Sequence, residues 1–253
     1  MHYLTSYSLL LIIFLILKFF LKNFKSKFHL KHQKFAGKES IPLLGGIVMF
    51  CFYSYSTLVN DHLIFTYSFL ILLLGILSDN NFLESPKLRL ILQTFALLSF
   101  TYFSELVIID LRNEFLNNLI SNYYFGIVFT TFCFLVLING SNFIDGLDGL
   151  NLGYFFLVIL IVIYLSKLDN IDIDNETLMI IFYIVSFLLI LNIFNFLYLG
   201  DSGSYLIGFI FGTFLIEINI SNYLISPYFI ALLLWYPAFE NLFSIIRKRL
   251  IQK

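Results

Sequence analysis

The chain has 253 residues and a net charge of −1; 60% of them are hydrophobic and 12% charged, with a mean hydropathy of +0.91. An ordinary soluble domain is roughly 25% charged, so these side chains cannot form a polar skin, and disordered, collagen-like and coiled-coil readings fail for the same reason. The near-zero charge supplies no global field for nucleic acid, which leaves a multi-spanning membrane protein.

A hydrocarbon core about 30 Å thick takes roughly 17–25 apolar residues in helix. Such runs lie near 6–22, 43–59, 62–78, 88–109, 122–138, 152–166, 177–197, 203–218 and 223–246. The expectation is an all-α polytopic bundle of about nine transmembrane helices forming one integral-membrane domain over 1–253. The first run lacks a small-residue cleavage site and is followed by lysines, so it reads as an anchor. Lys18, Lys22, Lys25, Lys27, Lys31, Lys34 and Lys38 crowd the connection after it. Basic residues in short loops stay cytoplasmic; the N-terminus is therefore expected outside and the C-terminus cytoplasmic. Lys87, Arg89, Arg247, Lys248, Arg249 and Lys253 then fall inside, while Arg112 and Lys167 fall outside. Pro237 within the last run predicts a kink. Cys51 and Cys133 sit inside apolar runs and read as fillers, and the four histidines show no zinc spacing.

Three connections expected on the cytoplasmic side carry more carboxylate and amide than a short loop needs: SDNNFLESPKLRL at 78–90, NGSNFIDGLDGLN at 139–151 and YLGDSGS at 198–204. Asp145 and Asp148 are three apart, which on one helical turn points both carboxylates the same way, with Asn139 and Asn142 continuing that face. Gly140, Gly146 and Gly149 would let backbone N–H groups approach a phosphate. Asp201 lies in an open turn between Gly200 and Gly203, and Lys87 and Arg89 stand near Asp79 as cations for phosphate oxygens. Hard oxygen ligands of this kind suit magnesium or manganese. Any one cluster alone reads equally as a turn or a helix cap: Asp79 for the fourth run, Ser85-Pro86 as a helix start, Asp201 for the eighth run. Three clusters on one side of a membrane point to phosphoryl transfer onto a lipid.

These residues resemble the polyprenyl-phosphate N-acetylhexosamine-1-phosphate transferases (the MraY/WecA type, glycosyltransferase family 4). The similarity runs from about Pro42 to about Ile207, through PLLGG at 42–46, SDNNFLESPKLRLILQ at 78–93, NGSNFIDGLDGL at 139–150 and LGDSGS at 199–204. The resemblance implies transfer of a sugar-1-phosphate from a UDP-amino sugar to undecaprenyl or another polyprenyl phosphate, releasing UMP. That is a first membrane step of cell-wall, lipopolysaccharide or related glycan synthesis. It implies Mg2+ or Mn2+, a bacterial inner-membrane location with the active site facing the cytoplasm, no nucleic-acid partner, and a fold compatible with a homodimer. Carried over by motif, Asp201 is the metal ligand; Asp79, Asp145 and Asp148 are the catalytic carboxylates; and Lys87, Arg89, Asn139 and Asn142 bind substrate.

Two departures stand out. The family's first motif usually has two adjacent aspartates where this chain has Ser78-Asp79-Asn80. Its late histidine loop and last span have no counterpart before Lys253, so a short variant or truncated form is expected. The competing readings are a catalytically impaired scaffold of the same fold and a membrane transporter.

Overall fold

The structure, a computed structural model, describes residues 2–23, 41–146, 149–168, 171 and 173–251. Asp148 and the lysines at 25, 27, 31, 34 and 38 lie outside the described residues. Eleven helices are described: α1 His2–Asn23, α2 Gly45–Asn60, α3 His62–Asp79, α4 Pro86–Ser104, α5 Glu114–Ile120, α6 Tyr123–Ile144, α7 Leu150–Leu165, α8 Asn175–Ile193, α9 Gly200–Ser221, α10 Pro227–Leu233 and α11 Trp235–Ile251. Among the described residues there is no strand; an isolated parallel bridge joins Leu43 to Tyr198.

Polar residues start these helices by local chemistry. Asp61, Asn122 and Asp174 each accept two backbone N–H groups of the following first turn, and Ser85 accepts Leu88 N–H with Pro86 in the first helical position. At the other end Glu105 adopts φ 56° and stops α4. The run expected to continue to 109 therefore ends at 104.

Helix α9 is the axis of the bundle. Every residue from Ser202 to Ile216 is buried, with α3, α6 and α2 packed around it. A helix apolar on all sides belongs either in such a shell or against lipid, and here the shell of helices covers it. Phe209 meets Phe100 edge-on at 4.9 Å and Phe211 lies 4.5 Å from Phe155, so α4 and α7 are tied to the same axis.

Among the described residues, four helices, α3, α6, α8 and α9, are long and apolar enough to cross a membrane. A fifth crossing is formed if α10 and α11 count together across their 62° bend. The apolar stretches Ser6–Phe19, Gly45–Ser54 and Leu150–Leu165 are shorter. Eight of the nine runs expected to cross lie in these places; the ninth, 88–109, holds α4, which has 19 residues but is less apolar.

The bend falls at Leu234, not at Pro237 itself. Pro237 is the third residue of α11, where its missing N–H and its ring exclude a bond to the carbonyl of Leu233, the last residue of α10. The Tyr154 hydroxyl donates to that carbonyl instead.

Candidate active site

The C-terminal ends of α3 and α6 and the N-terminal ends of α4, α7 and α9 meet at one end of the bundle. Helix α6 runs six residues beyond the expected run, so Asn139 and Asn142 are helical rather than in a loop. Asp145 caps its C-terminus, and Gly149, at φ 78°, opens α7. Asp148, expected on the same helical turn as Asp145, lies outside the described residues.

Asp201 lies in the first turn of α9, not in a loop, and its carboxylate is the point of convergence. Oδ1 accepts a hydrogen bond from Asn142 Nδ2 at 2.7 Å. Oδ2 accepts from Arg89 Nη1 at 2.9 Å, from the Ser78 hydroxyl, and from the Tyr205 hydroxyl at 3.5 Å. Arg89 also donates to Ser78 Oγ at 2.7 Å. The Arg89 and Asp201 side chains remain 28% and 27% exposed, so the pair is reachable from outside the bundle.

Asp79 sits underneath and is 7% exposed. Its Oδ1 accepts the backbone N–H of Asp201 at 2.8 Å and its Oδ2 that of Ser202 at 3.1 Å. It therefore caps α9, not the fourth run, and it pairs with neither Lys87 nor Arg89. Two glycines allow this approach. Gly200 has φ 67°, and a Cβ there would lie 2.8 Å from Asp79 Oδ1. A Cβ on Gly75 would come within 2.2 Å of Ser202 Cα. From the other side, Tyr198 N–H donates to Pro42 O and Gly45 N–H to Tyr198 O, both at 3.0 Å. The PLLGG segment thus holds the strand-like entry to α9.

The turn after α3 returns the chain so that α4 can deliver Arg89. Asn80 Nδ2 donates to Ile76 O, Asn81 takes φ 60°, and Phe82 N–H bonds Leu77 O. Lys87, one residue into α4, is exposed and pairs with no acid among the described residues. Asn139, one turn deeper than Asn142, donates to Gln93 Oε1 at 3.0 Å and to Leu135 O. Its amide is thus engaged between α4 and α6 rather than at Asp201. Asp145 is half-buried, and its carboxyl bonds the side chains of Ser204 and Asn151. Burial pushes that carboxyl up to about 8, against the lowering effect of those two bonds and with a further upward push from Asp201 and Asp79.

Sequence reasoning passed over three members of this group. Ser78 counted only as a missing acid. Tyr205 is four residues after Asp201, so helical spacing alone would have placed it beside its partner, whereas the partner of Gln93 is Asn139 on another helix, which no spacing along α4 reveals.

Among the described residues, no group of three His, Cys, Asp or Glu side chains lies close enough to hold a metal ion by itself. The donors at this end are hard carboxylate oxygens, Asp201 with Asp145 nearby. That fits a magnesium-class ion, which binds through one or two carboxylates and completes its shell with water and phosphate oxygens.

The family model described as glycosyl transferase family 4 matches residues 62–219, more than half of the chain. The match covers every residue of the Asp201 cluster. No curated protein matches this chain.

Proposed function

Because this chain belongs to glycosyl transferase family 4, whose members are MraY/WecA-type phospho-sugar transferases, we propose that it moves an N-acetylhexosamine-1-phosphate from a UDP-sugar to polyprenyl phosphate. The observation that carries this reading is the Asp201 carboxylate held between a guanidinium, an amide and a hydroxyl at one mouth of a membrane bundle. Such an array positions and neutralises phosphates, which is most of what phosphoryl transfer asks of a protein.

In the proposed reaction an oxygen of the lipid phosphate attacks the β-phosphorus of the UDP-sugar. The new P–O bond joins the lipid and sugar phosphates as the bond from the β-phosphorus to the bridging oxygen breaks. That bridging oxygen leaves on UMP. A lipid phosphate is already anionic near neutral pH, so the attack proceeds without a protein base. Arg89, exposed enough to turn outward, draws the diphosphate against Asp201, and Lys87 at the rim adds a second cation. Asn142 keeps the Asp201 carboxylate in one orientation. Asp201 with Asp145 would hold a magnesium or manganese ion, which supplies Lewis-acid neutralisation of the diphosphate. Nine crossings with the N-terminus outside, an inner-membrane site facing the cytoplasm and a homodimer complete the reading.

Detergent-solubilised protein given labelled UDP-N-acetylhexosamine, polyprenyl phosphate and Mg2+ should yield a lipid-linked sugar phosphate and UMP. The absence of product across a panel of UDP-sugars, beside an active control enzyme, sinks the proposal.

A further inference from the structure

We infer that Asp79 is a positioning residue that aims Asp201 by capping helix α9, and not a group that meets the lipid phosphate; the inference rests on the transferase reading above.

The first turn of any helix leaves backbone N–H groups without intrahelical partners. A Ser, Thr, Asp or Asn just before the helix ordinarily satisfies them. Helix α9 has Leu199 in that place and no side-chain cap of its own. The missing acceptor comes from α3, more than a hundred residues earlier. Asp79 offers one oxygen to the N–H of Asp201 and the other to the N–H of Ser202. A carboxylate is also the right charge for the positive end of a helix dipole.

A general base or nucleophile has to come within about 2.6–3.2 Å of the reacting oxygen. Asp79 is 7% exposed, and its carboxylate fills the space where a Cβ of residue 200 would sit. Its reach ends at the backbone of α9. Asp201, by contrast, turns a 27% exposed side chain toward Arg89. The two carboxylates divide the work: one fixes the direction of the helix start, and the other presents charge at the mouth. Removing the cap should let residues 199–204 fray, so that Asp201 loses its alignment with Arg89 and Asn142.

Hydrogen–deuterium exchange and turnover on the full chain in detergent, for wild type, Asp79→Asn and Asp79→Leu, separate the two roles. Asn keeps an acceptor for the helix N–H groups; Leu keeps the bulk and removes both. The expected result is faster exchange in the 198–206 peptide for Asp79→Leu, with little change for Asp79→Asn. Turnover should fall by about tenfold or less in Asp79→Asn and by roughly a hundredfold in Asp79→Leu, with KM for UDP-N-acetylhexosamine raised in the latter. If Asp79→Leu does not fold, Gly200→Ala, which crowds the same carboxylate without altering its chemistry, should accelerate exchange in the same peptide. Unchanged exchange in whichever of these variants folds overturns the inference, as does an Asp79→Asn protein with wild-type exchange and no turnover. Wild-type protein without turnover removes the transferase reading instead, and the exchange measurement then decides the cap alone.

Discussion

Arg89 and Asp201 lie 112 residues apart in the chain, yet Nη1 of one stands 2.9 Å from Oδ2 of the other, with Ser78 bonded to both. The contact joins the first and last of the three polar segments and places a cation at the rim of the candidate site.

Arg89→Gln should cost activity far more than stability. A part-exposed ion pair contributes about 0–1 kcal/mol to folding, so thermal melting should move little. Loss of a positioned guanidinium should lower kcat/KM by on the order of 10- to 100-fold. A large melting shift with intact turnover would assign Arg89 to structure alone.

Asn142→Asp replaces the amide donor, 2.7 Å from Asp201 Oδ1, with a second carboxylate. Like charges at that distance cannot both stay ionised at neutral pH without strain. Melting temperature and turnover should both fall, and more than in Asn142→Leu. Paired calorimetry and product assays on the two variants check the order.

Gly75→Ala tests the packing beneath the site. The added methyl would come within 2.2 Å of Ser202 Cα, so backbone must move. Overpacking of this kind costs about 1–3 kcal/mol. Thermal unfolding should register the loss, and exchange should quicken at the start of α9.

Tyr154→Phe should destabilise by about 1–3 kcal/mol, the cost of leaving a desolvated carbonyl unsatisfied. The carbonyl is that of Leu233, which Pro237 cannot serve. Pro237→Ala restores an N–H at the right place, so a double-mutant cycle should show the Tyr154 effect shrinking in that background. An additive cycle would rule out the shared carbonyl.

Stability should fall with rising pH through Asp145. Its carboxyl is pushed from an ordinary 3.8 up to about 8, chiefly by burial. A raised folded value means the native state holds the proton more tightly than the unfolded chain. The contribution is full below about pH 4 and is lost as pH climbs through about 8. Asp145→Asn carries a neutral side chain like the protonated acid, so its melting curve should lie close to wild type near pH 4, with wild type falling below it as pH climbs toward 8; parallel curves would contradict the assignment.

How much of this was readable from residues alone depends on the range of the interaction. Ser85-Pro86 opened α4 as its chemistry requires, because a cap and a missing N–H act within one turn. The apolar runs located helices for the same reason. The four family segments were also recognisable, since their spacing is written along the chain.

Where each run stops being helix was not. Helix α6 continues through Asn142 because α4 and α9 supply partners for its polar face, a circumstance no local pattern reveals. Nor could spacing tell that Asp79 would cap α9 while Asp201, 122 residues further along the chain, would stay open to solvent. Both are aspartates beside a helix end. What separates them is which backbone folds over which carboxylate, and only the closed bundle, with Gly75 and Gly200 clearing the way, determines that.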